Sequence, residues 1–151
     1  MPAQLRVVEL ITIKRKHIAL SGEDKYGHWW FEIGAFGEGE AESYGWWPAE
    51  FVGLTSTLLG VPGDLNGQTS FFGSPTRDPR HGDKADEEFY PYVLATDTRT
   101  DQEIADCLRR FATSFTGAWR WTFGKGQNCH TFQEQAMRHC RLLKRDHKKW
   151  Q

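Results

Sequence analysis

The chain has 151 residues, a formal net charge of −1 and 26% charged residues. That is length for one hydrophobic core and not comfortably two, with no electrostatic pull toward nucleic acid or an anionic membrane surface. Hydrophobic content is a low 38%, but aromatics make up 14%, including 7 Trp, and large rings build a core from few residues.

Residues 5–13 are rich in Val, Ile and Leu and predict a strand, with a second strand over 18–21. Residues 22–27 carry turn chemistry, and His28 to Ile33 predicts a buried strand. A turn over 34–39 and a strand over 40–46 returning antiparallel complete a meander. Pro48 suits the first position of a short helix reaching about Leu59. Residues 60–88, with Pro62, Gly63, Asn66, Gly67, Gly73, Pro75, Pro79 and Gly82, predict a loop of functional or mobile length. A strand over 89–95 precedes a helix opened by the capping pair Thr100 and Glu103 and running to about Phe115. An aromatic, glycine-flanked connector over 117–126 leads to a last helix, from Asn128 or Cys129 to about Arg145, and a basic tail. The class expected is α+β, one domain over 1–151: an antiparallel sheet packed against two helices.

No apolar run reaches eighteen residues, so no membrane-spanning helix is expected. The first residues lack a basic segment followed by an apolar run, so no secretory signal peptide is expected. An odd count of 3 cysteines argues against a disulfide framework. Cys107 and Cys140 fall on apolar helix faces and read as small buried hydrophobes. No ligand spacing links the histidines and cysteines, so neither metal nor cofactor is expected.

Cys129 is different, because it opens a helix behind polar, glycine-rich sequence. A thiol in the first helical turn meets unpaired backbone N–H groups and the positive end of the dipole, both favouring thiolate. His28, opening an apolar strand, is a natural base for it. A carboxylate on the return strand would orient the imidazole. Glu42 is the first choice, with Glu40 and Ser43 as alternatives. Asn128 reads first as the helix cap and, with Gln127, as an oxyanion donor beside the Cys129 N–H. Trp29, Trp46 and Trp47 flank these strands and suggest a narrow aromatic cleft suited to glycine beside the scissile bond.

His28 with Gly34, then Glu42-Ser43-Tyr44-Gly45-Trp46, resembles the His strand and the Asn-Ser-Trp-Gly strand of papain-like cysteine peptidases. Gly126-Gln127-Asn128-Cys129 resembles their approach to the nucleophile helix. The order, His28 before Cys129, is that of circularly permuted relatives: the lecithin-retinol acyltransferase family and bacterial cell-wall amidopeptidases. Asn128-Cys129-His130-Thr131-Phe132 matches the Asn-Cys-Glu-His-Phe motif of the former at Asn, Cys and Phe. The departures are Glu in place of Asn and no glutamine well upstream of Cys129. The resemblance implies a permuted papain-like fold and a thioacyl-enzyme mechanism by Cys129, His28 and Glu42. It also implies an antibacterial toxin domain of the type VI kind, made in the cytoplasm, delivered into competitors and blocked by a cognate immunity protein. A target-cell protein is the first substrate expected and peptidoglycan stem peptide the second. A lipid acyltransferase or thioesterase and a non-enzymatic aromatic binding module are the remaining alternatives.

Overall fold

The computed structural model describes residues 4–21, 24–34, 42–49, 60–119 and 128–144. The fold is α+β. Among the described residues the strands are β1 (Leu5–Val7), β2 (Ile11–Ser21), β3 (Asp24–Ile33), β4 (Glu42–Tyr44), β5 (Trp46–Pro48), β6 (Val61–Leu65), β7 (Glu87–Phe89), β8 (Tyr92–Leu94) and β9 (Ala118–Trp119). The helices are α1 (Asp101–Ser114) and α2 (Cys129–His139). The central sheet has the order β4-β3-β2-β7, and smaller sheets join β1 to β8 and β5-β6-β9, with every pairing antiparallel.

β2 and β3 form the long hairpin, with Ile11 opposite Ile33, Ile13 opposite Phe31 and Lys16 opposite His28. It is longer than the sequence suggests, because residues 14–17 and 24–27 join the ladder: backbone pairing overrides their polar composition. β6 lies inside the segment expected to be loop, where Trp46 and Trp47 of β5 pair with Leu65 and Asp64. Pro48, expected to open a helix, ends β5 instead, opposite Gly63. Residues 50–59 of that expected helix lie outside the described residues.

α1 begins as expected. The Thr100 side chain accepts from the Glu103 N–H while Glu103 reaches back to the Thr100 N–H. Ile104, Ala105, Leu108 and Ala112 form its buried stripe. α2 packs against β3 and α1 through Phe132, whose ring lies 6.1 Å from Phe31, 6.0 Å from Trp46 and 5.0 Å from Phe115. α2 ends earlier than expected: Arg141 takes φ 55° and the chain turns so that Leu143 and Tyr92 exchange backbone hydrogen bonds of 2.9 and 2.7 Å. Among the described residues no helix is long and apolar enough to cross a membrane.

One expectation is overturned outright. Cys107 of α1 and Cys140, the residue capping the end of α2, form a disulfide with Cα atoms 5.9 Å apart. Each cysteine is on an apolar helix face, as expected, but the two faces meet, so the odd count concealed one pair and one free thiol, Cys129.

Candidate active site

β3 delivers His28 from the sheet, and α2 delivers Cys129 as its first residue. Asn128 caps that helix: its Oδ1 accepts from the N–H groups of His130 at 3.0 Å and Thr131 at 3.4 Å, and its own N–H donates to Thr131 Oγ1 at 2.8 Å. The Cys129 thiol donates to the Gly27 carbonyl oxygen at 3.4 Å, next to His28 in β3, and lies near enough to the His28 ring to act on its charge. The structure thus brings together the two residues that the sequence paired across 101 positions.

The carboxylate on the imidazole is Asp78, not Glu42. His28 Nε2 lies 3.0 Å from Asp78 Oδ2 and 3.2 Å from Oδ1. The reason is register. Glu42 pairs with Ile33, five residues along β3 from His28, a separation of about 17 Å. Glu42 instead receives hydrogen bonds from Arg109 of α1 at 2.8 and 2.5 Å, which hold its carboxyl below the usual range. Ser43 serves one layer further out: its Oγ accepts the Asp78 N–H at 2.7 Å and contacts His81 Nδ1 at 2.8 Å. Burial holds the His81 pKa below its ordinary value. With its oxygen accepting from Asp78, the Ser43 hydroxyl keeps its own hydrogen to donate to His81 Nδ1 whenever that nitrogen is unprotonated. Glu40 and Gln127 lie outside the described residues.

Asp78 arrives from the 60–88 segment, which is fastened at several points. The Gly45 N–H donates to Asn66 Oδ1 at 3.0 Å, the Asn66 N–H donates to the Gly45 carbonyl at 2.8 Å, and Asn66 Nδ2 donates to the Ser74 carbonyl at 2.9 Å. Asp78 Oδ2 also accepts from Trp47 Nε1 at 2.6 Å, and Oδ1 accepts from the Arg80 N–H at 2.9 Å. That last contact, two residues on, is an Asx turn stabilised by Pro79. An Asp-Pro pair inside a long loop was the available sequence signal, and several other acidic residues share that loop.

The aromatic residues divide by role. The Trp47 ring lies 4.1 Å from that of His28, and Trp30 stacks on the other side at 5.5 Å and 15°. Trp46 is core, edge-on to Phe115 at 4.6 Å. Trp29 is half-buried and stacks on His130, the residue after Cys129, at 5.3 Å. Of the three rings expected to line a cleft, Trp29 alone keeps an outer surface; Trp47 braces the site instead. Cys129, His28 and Asp78 are themselves buried.

Burial by itself would lower the His28 pKa. The charge and hydrogen bond of Asp78, with smaller contributions from Cys129, outweigh it and raise the value to about 9. The folded value exceeds the unfolded 6.5, so the pair contributes its full stability below pH 6.5 and loses it as pH rises through 9. The free energy of urea unfolding is therefore expected to fall between pH 6.5 and 9 with a His28 contribution of up to about 1.4 kcal/mol per pH unit. His28→Gln should flatten that slope; an identical slope in the variant would assign it to another group.

Gly45 makes the close approach possible. A Cβ there would lie 2.3 Å from Asp78 Oδ2 and 3.1 Å from His28 Nε2. Neither atom is the loose end of a flexible chain, since both are hydrogen-bonded and enclosed by Trp47 and Trp30. Gly45→Ala is expected to cost about 2 kcal/mol in urea unfolding through this overpacking. An unchanged midpoint would mean the carboxylate is seated elsewhere.

Among the described residues no three His, Cys, Asp or Glu side chains are grouped to hold a metal. No family model, curated protein or solved structure matches the chain.

Proposed function

We propose that the chain is a cysteine hydrolase acting through Cys129, His28 and Asp78. The observation that carries this reading is a buried imidazole 3.0 Å from a buried carboxylate, with the thiol that opens a helix close enough to act on the ring's charge. Nε2 is engaged by Asp78, so on this reading Nδ1 is the nitrogen that exchanges a proton with the sulfur. Cys129 as thiolate attacks a carbonyl carbon, and the oxyanion forms beside the Cys129 backbone N–H and the side chain of Asn128 or Gln127. His28 gives its proton to the leaving amine, the thioacyl-enzyme remains, and His28 then takes a proton from the water that releases the acid.

The order His28, Asp78, Cys129 and the antiparallel sheet against the nucleophile helix support a permuted papain-like arrangement, with Asp78 in the orienting role instead of Glu42. On this reading the substrate is a peptide bond in a target-cell protein, with glycine favoured because room near the sulfur is small. The biological setting is that of a delivered antibacterial toxin neutralised by an immunity protein. Burial of Trp30, Trp46, Trp47 and Trp119 weighs against an aromatic binding module, since these rings have no face to offer a sugar or base.

The test is covalent capture. The full chain is incubated with a glycyl chloromethyl ketone, and the adduct is located by peptide mass spectrometry. Wild type should alkylate at Cys129, and His28→Gln should react at least tenfold more slowly while melting as a folded chain. Equal rates in the two proteins would overturn the reading.

A further inference from the structure

The far end of α2 carries a second chemical feature, independent of the thiol site. A cavity of about 360 Å³ opens between α1 and the end of α2, and the Cys107–Cys140 disulfide forms part of its surroundings. Cys107 lines the cavity and is half-buried, while Cys140 is fully buried. A nucleophile entering here approaches Cys107 and not its fully buried partner.

Three guanidiniums line the same cavity, those of Arg99, Arg110 and Arg141, together with His139. Of the two acids present, Asp106 pairs with Arg109, while Glu103 keeps its charge as it accepts from Thr100 in the α1 capping box, so three guanidiniums face two carboxylates. Arg99 is held by Asp97 at 2.8 Å and donates to the Cys140 carbonyl oxygen at 2.8 Å, which keeps a cation on the residue whose sulfur would leave. Arg110 and Arg141 have no carboxylate within 4.0 Å among the described residues, although the charge of Arg141 also acts on Asp97. The lining therefore favours an anion, and the reactive bond beside it favours a thiol.

We infer that this cavity is a thiol–disulfide exchange site that admits small anionic thiols to Cys107. The thiolate of an anionic low-molecular-weight thiol attacks Cys107 Sγ; a new S–S bond forms, the Cys107–Cys140 bond breaks, and Cys140 leaves as thiolate and is protonated from solvent. A second thiolate attacks the small-molecule sulfur of the mixed disulfide and releases Cys107. Two thiols are oxidised to one external disulfide while the protein disulfide is reduced to two thiols. Exchange removes the covalent tie between α1 and the end of the helix that begins at Cys129.

The experiment compares 2-mercaptoethanesulfonate, 2-mercaptoethanol and cysteamine on the full chain, each adjusted to the same thiolate concentration. The opening of the Cys107–Cys140 pair is read by mass spectrometry of the peptides containing it. The anionic thiol should react about tenfold faster than the cationic one, from charge attraction across a partly exposed site. That preference should collapse at about 1 M salt and in the Arg110→Gln/Arg141→Gln double variant. Equal rates for the three thiols, or cysteamine fastest, would overturn the inference, and so would a preference untouched by both salt and the double substitution.

Discussion

Cys129→Ala is expected to abolish hydrolysis while the chain stays folded. Removal of the nucleophile from a triad-type site reduces turnover by roughly 10⁵–10⁶-fold. The structural cost is small by comparison. The sulfur is buried and makes one weak hydrogen bond, to the Gly27 carbonyl, so its loss should lower stability by about 1 kcal/mol. The His28 ring also loses the contribution of Cys129 to its raised pKa, but Asp78, the larger positive influence, remains. The measurement pairs an assay on glycine-containing peptide amides with expression of both proteins in the cytosol and periplasm of a bacterial host. Wild type should be toxic in the compartment that holds its target, and the variant harmless there at equal abundance. Toxicity confined to the cytosol would exclude peptidoglycan. Undiminished toxicity of the folded variant would remove the hydrolase reading altogether.

The parts of the site that were legible in the sequence are those built by local rules. Cys129 stands out because Asn128 caps its helix, a local pattern to which the structure adds Thr131. His28 stands out because it heads an apolar strand run. The capping pair Thr100 and Glu103 is equally local. Asp78 obeys no such rule: it lies 50 residues from His28 and meets it only because the chain returns through the β5–β6 pairing and is fastened by Asn66 and Ser43. The hairpin argument for Glu42 failed on register, because the β3–β4 ladder puts Glu42 opposite Ile33 and leaves Gly45 and Trp47 as the neighbours of the imidazole. The disulfide was hidden for a similar reason. Each cysteine is correctly placed on an apolar face, and only the docking of α1 on α2 decides that the faces meet.

That difference in register makes the two carboxylates separable by experiment. Asp78→Ala would leave the Trp47 indole N–H, the Arg80 N–H and a buried imidazolium without their acceptor. Stripping one partner from a buried ion pair costs about 3–5 kcal/mol, enough to threaten folding of a chain this size. Asp78→Asn is the informative substitution. Its amide oxygen can still accept from one of the donors, but it carries no charge, so the His28 pKa should fall from its raised value and the imidazolium needed by the leaving group becomes scarce. Loss of the orienting carboxylate in triads of this kind costs up to about 10⁴-fold in turnover. Glu42→Gln provides the contrast. Its ion pair with Arg109 is partly exposed, with side-chain exposures of 34% for Arg109 and 24% for Glu42, so the stability cost should stay within about 1 kcal/mol and turnover should be little changed. Alkylation rate, peptide turnover and urea midpoint are measured on both variants. If Glu42→Gln loses activity and Asp78→Asn keeps it, the buried carboxylate is a packing device and the return strand carries the chemistry after all. If Asp78→Asn alone loses activity while remaining folded, the loop from 60 to 88 is part of the catalytic apparatus.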